Sequence, residues 1–104
     1  MNDPAILLEQ LKQFRDERDW QQFHNHKDMA LSMVLEAAEV LEHFQWKNPE
    51  EVKEYGRTHR DKIAEELADT LKYLLQLADN LGIDDIVDFA MRKLENDAKK
   101  SPIE

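Results

Sequence analysis

The chain contains no cysteine. That excludes disulfides, thiolate nucleophiles and zinc sites of the cysteine type, so the fold must rest on packing. Only two glycines and three prolines punctuate its 104 residues, a scarcity that suits helices better than a sandwich or a disordered tract. Long apolar runs are missing as well. No stretch approaches the roughly 18 residues of a membrane span, and "MNDPAILLEQ" lacks a basic segment leading into an apolar one. The expectation is a soluble cytoplasmic protein with no membrane partner. Basic residues are the minority: 14 Lys and Arg against 23 Asp and Glu leave a net charge of −9. This disfavours binding to a nucleic-acid polymer, which depends on cations releasing counterions from phosphates. Small anionic ligands stay compatible if a cation intervenes.

What the sequence does have is charge at helical spacing. With 41% apolar and 36% charged residues, a chain of this length reads as one all-α domain over residues 1–104. The first helix opens at Asp3 and Pro4, carries Ile6, Leu7, Leu11 and Phe14, and fades near Trp20. Asp28 is the expected cap of a second helix running to about Trp46. "KNPEE" predicts a short connector helix capped by Asn48 and stopped by Gly56. A third long helix spans about Asp61 to Leu81 before Gly82, and a fourth runs from an Asp84 cap to about Lys100. Four main helices and a connector predict a bundle, and the apolar surface they carry predicts completion by a second copy, as a homodimer or a tetramer of dimers.

The segment "LEAAEVLEHFQW" (Leu35 to Trp46) sets carboxylates into an otherwise apolar helix. At 100° per residue, Ser32, Glu36, Glu39 and His43 fall within roughly a 60° arc. Met29, Met33 and Val40 flank it on one side, Leu35 and Trp46 on the other. On the third long helix the same wheel assigns Ile63, Leu67, Leu71, Leu74, Ala78 and Leu81 to the core. Asp61, Glu65, Lys72, Gln76 and Asp79 fall to solvent, and Lys62, Glu66, Asp69 and Tyr73 to a boundary strip. Each helix thus offers a carboxylate pair at i, i+3: Glu36 with Glu39, and Glu66 with Asp69. If the helices pack side by side, the four acids converge, and their repulsion is relieved by protonation or by a hard cation such as Mg²⁺ or Mn²⁺. His43 shares the stripe and is a candidate partner for the acids. Pairs of this kind also occur on ordinary solvated helix faces.

With both pairs located, the sequence resembles the MazG-like all-α nucleoside triphosphate pyrophosphohydrolases, including the small dCTP pyrophosphatase branch. The resemblance is carried by "RDWQQFH" (Arg18 to His24), "EAAEVLEHFQWKN" (Glu36 to Asn48) and "EELADTLKYLL" (Glu65 to Leu75), in family order over nearly the whole chain. It implies Mg²⁺, with Mn²⁺ an alternative, held by Glu36, Glu39, Glu66 and Asp69, and hydrolysis of a nucleoside triphosphate to monophosphate and pyrophosphate in nucleotide-pool cleansing. Glu39 is the candidate for activating water. By similarity, Trp20, His24, Trp46 and Tyr73 line a base and sugar pocket, and Lys93 and Lys100 contact phosphate. Asp97 and Ser101 depart from the family's tail, where an asparagine and a Lys-Tyr-Pro segment are usual. A non-catalytic helical interaction module is the competing expectation. A di-iron bundle oxidase is a second competitor, against which stands that neither acidic pair supplies Glu-x-x-His.

Overall fold

A computed structural model describes residues 3–20, 25–101 and 103. Among them are five helices and no strand: α1 (Pro4–Glu17), α2 (His26–Phe44), α3 (Pro49–Thr58), α4 (Arg60–Asn80) and α5 (Ile86–Lys100). The all-α architecture expected from composition and periodicity is the one observed.

Local chemistry explains the boundaries. The Asp3 carboxylate accepts the Ile6 amide at 2.9 Å to start α1, satisfying one of the helix's orphan donors. α2 begins earlier than expected. Its cap is Asn25, whose Oδ1 accepts the Asp28 amide at 2.8 Å while its Nδ2 donates to the Asp28 carboxylate at 2.7 Å. Asp28 is therefore a first-turn acid rather than the cap. Asn48 and Glu51 form a reciprocal capping box at α3, as the "NPEE" signal implies. That helix runs through Gly56 to Thr58 instead of stopping, because an interior glycine only weakens a helix, by about 1 kcal/mol. Asp85, not Asp84, caps α5.

Two chain reversals share one device. Gly82 adopts φ 79° while the Ile83 amide reaches the Ala78 carbonyl and the Gly82 amide reaches that of Asp79, each at 2.9 Å. This is the paired bonding that ends a helix through a left-handed residue. Asp19, at φ 55°, does the same after α1: the Trp20 amide meets the Arg15 carbonyl at 3.0 Å. Trp20 is thereby folded back onto Phe14, ring to ring at 5.6 Å.

α2 lies along α4, α1 crosses the C-terminal half of α4, and α3 touches both; α5 makes only slight contact with any of them. Among the described residues the buried apolar set is correspondingly small: Met29, Ile63, Leu75 and Ala78. Two expectations from the α4 wheel are overturned. Leu67, Leu71, Leu74 and Leu81 remain exposed, whereas Gln76 is buried. The wheel finds the apolar side of one helix. It does not register that α1, tied to α4 by Lys12 and Asp79 at 3.8 Å, lies over the polar side at that level. α2 shows the complementary inversion. Ser32, Glu36 and His43 are partly covered, while Leu31, Val34, Leu35 and Leu41 face outward.

Candidate functional site

α2 and α4 bring their acidic strips to one another. Glu36 and Asp69 line one cleft of about 440 Å³, walled by Leu7, Leu11, Phe14 and Trp20 of the α1 region and by Tyr73 of α4. Capping and helical periodicity place each group: Asn25 fixes the start of α2, and Asp69 and Tyr73 sit one turn apart on α4.

The electrostatics register the convergence. The Glu36 carboxyl is held above its ordinary value. Partial burial is the largest cause, followed by the charges of Glu39 and Asp69, a hydrogen bond with the Glu39 carboxyl, and the charge of Glu66. Burial and neighbouring like charges both disfavour the ionised form, so the group resists losing its proton. Glu36 thus senses all three other predicted acids.

The four do not form a ready-made cage. Among the described residues no three acidic or imidazole groups stand together as an ion-holding set. Two neighbours draw the acids apart: Glu66 Oε2 lies 2.5 Å from His43 Nε2, and Asp69 Oδ1 pairs with Lys72 Nζ at 3.4 Å. The donor set itself is entirely oxygen and anionic, and it penalises its own charge. Those are the properties that a hard divalent cation fits.

The other predicted residues divide. Trp20 and Tyr73 line the cleft with Glu36 and Asp69. Trp46 does not. It occupies the third position of a tight turn in which the Lys47 amide meets the Phe44 carbonyl at 3.2 Å, and it holds φ 69°, a conformation that glycine or asparagine normally supplies. The residue is 92% exposed. Lys93 and Lys100 border a shallow groove on α5, away from the acids, with Lys93 paired to Asp97 at 3.1 Å. His24 lies outside the described residues.

Sequence reasoning missed Arg15 and Gln76 as cleft residues and misplaced Lys72. Arg15 lines the cleft with a side chain only 14% exposed. Gln76 is buried there, its amide donating to the Lys72 carbonyl at 3.2 Å. A signal existed for Gln76: Asp69, Tyr73 and Gln76 follow i, i+4, i+7, a single face.

A family model described as MazG-like matches residues 31–104. The dCTP pyrophosphatase 1 of Homo sapiens is 42% identical over 87 residues, covering 78% of this chain and 51% of that protein. That of Mus musculus is 33% identical over 106 residues, covering 96% and 62%. The chain spans between about half and two thirds of the length of these curated relatives. A crystal structure of a pyrophosphatase from Archaeoglobus fulgidus superposes with a TM-score of 0.88 at 38% identity, covering 94% of this chain and 91% of the other.

Proposed function

The chain belongs to the MazG-like family, and from that premise we propose that it hydrolyses nucleoside triphosphates, deoxynucleotides among them, to monophosphate and pyrophosphate, as a cleanser of the cytoplasmic nucleotide pool. The observation that carries this reading is the shared cleft, acidic at Glu36 and Asp69 and aromatic at Phe14, Trp20 and Tyr73. An aromatic wall accepts a base by stacking, and an anionic end accepts a triphosphate once a cation bridges them.

Glu36, Glu39, Glu66 and Asp69 are the residues to hold Mg²⁺, or Mn²⁺ in its place. Bound there, the ion would supply positive charge to offset carboxylate and phosphate charge and the charge developing at the α-phosphorus. The chain's own side chains supply the rest. Glu39, beside Glu36, takes the proton of the attacking water. The new bond forms between water oxygen and the α-phosphorus as the bond to the bridging oxygen breaks, and pyrophosphate leaves with that oxygen. Arg15 and Lys72 set positive charge against the phosphate oxygens, while Trp20 and Tyr73 orient the base.

We also propose a homodimer, alone or paired into a tetramer. The chain exposes 8413 Å², about 2,300 Å² more than the ~6,100 Å² usual at its mass, an excess of the size that obligate partners bury. Its radius of gyration is 16.7 Å, against about 13 Å for a closed domain of this length. Trp46, Lys93 and Lys100 stand outside their own cleft, so their roles in substrate binding require the second copy. An interaction module whose acids meet a basic partner is disfavoured, because Glu36, Glu66 and Asp69 are partly covered, Glu39 being the exposed member of the four.

The test is product identity with Mg²⁺ and a panel of normal and modified triphosphates. Monophosphate with pyrophosphate is the expected pair; diphosphate with orthophosphate contradicts the reading.

A further inference from the structure

Glu66 is held from two other helices. Its Oε2 lies 2.5 Å from His43 Nε2 on α2, and His43 Nδ1 lies 3.0 Å from the Tyr55 hydroxyl on α3. The His43 and Glu66 side chains are each only 12% exposed. A carboxylate only accepts, so Nε2 carries the proton toward Glu66. In the neutral ring Nδ1 is then bare and the phenol O–H donates to it, whereas an imidazolium would donate from Nδ1 to the phenol oxygen. With the ring neutral, the two bonds run one way, from Tyr55 through His43 to Glu66.

Tyr55 is fixed from several sides. Its ring stacks on His59 with centroids 3.8 Å apart and planes 5° from parallel, Phe44 meets it edge-on at 6.3 Å, and Lys47 Nζ lies 4.3 Å from its centroid. A phenol gripped this way has little freedom to turn its hydroxyl elsewhere.

We propose that Tyr55 and His43 are positioning residues for Glu66: they commit Oε2 and leave Oε1 to the divalent ion. The proposal rests on the metal reading above and assigns α3 a part in it. Partners that orient metal-binding side chains typically change metal affinity by about 10- to 100-fold when removed.

The test titrates Mn²⁺ into the unsubstituted protein and into Tyr55→Phe, His43→Leu and His43→Gln, reading free Mn²⁺ by electron paramagnetic resonance. Metal-free thermal midpoints are recorded alongside. Tyr55→Phe keeps the ring and its packing, and its Mn²⁺ affinity is expected to fall about fivefold, as for loss of one hydrogen bond. His43→Leu is expected to weaken binding by at least about tenfold, with partial recovery in His43→Gln, whose amide can still donate to Glu66. Equal affinity in all four proteins overturns the relay alone, whereas no Mn²⁺ binding by the unsubstituted protein overturns the metal site and the relay together. If His43→Leu fails to fold, Tyr55→Phe decides. Independently of metal, ¹⁵N shifts of His43 in the metal-free protein at about pH 8, above the ordinary imidazole range, should report the Nε2–H tautomer. The Nδ1–H tautomer overturns the proposal.

Discussion

Glu36 on α2 and Asp69 on α4 line one cleft, and the charge of Asp69 helps to hold the Glu36 carboxyl above its ordinary value. Both links matter: packing brings two helices into register, and burial together with the charge of the neighbouring acids disfavours the ionised form of Glu36.

The raised Glu36 carboxyl, held up by burial first and by its acidic neighbours second, predicts a pH dependence. A carboxyl that binds its proton more tightly when folded makes the native state lose stability relative to the unfolded one as pH rises through and above about 4.5, its unperturbed value, because the folded state then holds more protons. Glu36→Gln removes this penalty. In metal-free buffer at neutral pH its thermal midpoint should be equal to or above that of the unsubstituted protein, while turnover is lost. A lower midpoint at neutral pH than at pH 4.5, relative to the parent, contradicts the argument.

Gln76 fills the buried floor of the cleft. Its amide bonds the Lys72 carbonyl, which as a helix carbonyl keeps its backbone partner without it. Gln76→Leu is therefore expected to change stability by no more than about 1 kcal/mol. If the amide reads a base edge, KM for the preferred triphosphate should rise about tenfold and the ranking of bases should shift. Steady-state kinetics over the triphosphate panel checks this.

Trp46 holds a left-handed backbone, which costs an L-residue about 1–2 kcal/mol, and still leaves its ring in solvent in the single chain. Strain of this kind persists where function maintains it. Trp46→Gly should relieve the strain and keep the fold by circular dichroism, yet raise KM by about tenfold through loss of base stacking. Unchanged KM removes Trp46 from the substrate site.

Leu67 is 53% exposed in the single chain, where glutamate would be tolerated within about 0.5 kcal/mol. Against a second copy it would bury a charge. Leu67→Glu should lower the mass seen by light scattering to that of one chain and depress the thermal midpoint. An unchanged mass and midpoint would argue against this face as the contact.

Much of this was legible in the sequence, for identifiable reasons. The Asn48–Pro49–Glu51 start of α3, the Gly82 stop of α4 and the i, i+3 acid pairs are local signals, fixed by caps and by 3.6 residues per turn. Tertiary facts were not legible. Gln76 is inside because α1 crosses α4. Leu67 and Leu71 are outside because one chain does not supply their cover. Trp46 falls off its expected wheel position because the helix ends at Phe44 and a tight turn re-aims it. Tyr55, in a segment read as a connector, became visible only when α3 docked its hydroxyl on His43.

The most direct measurement is the Mg²⁺-induced shift in thermal midpoint, compared between the unsubstituted protein, Glu36→Ala and Asp69→Ala. Mg²⁺ at about 100 times its dissociation constant should stabilise the unsubstituted protein by roughly 2.7 kcal/mol, raising the midpoint by several degrees. Both variants should lose that shift together with turnover while keeping their helicity. A full shift retained in either variant, or none in the parent, would contradict the account that two helices share one divalent-ion site.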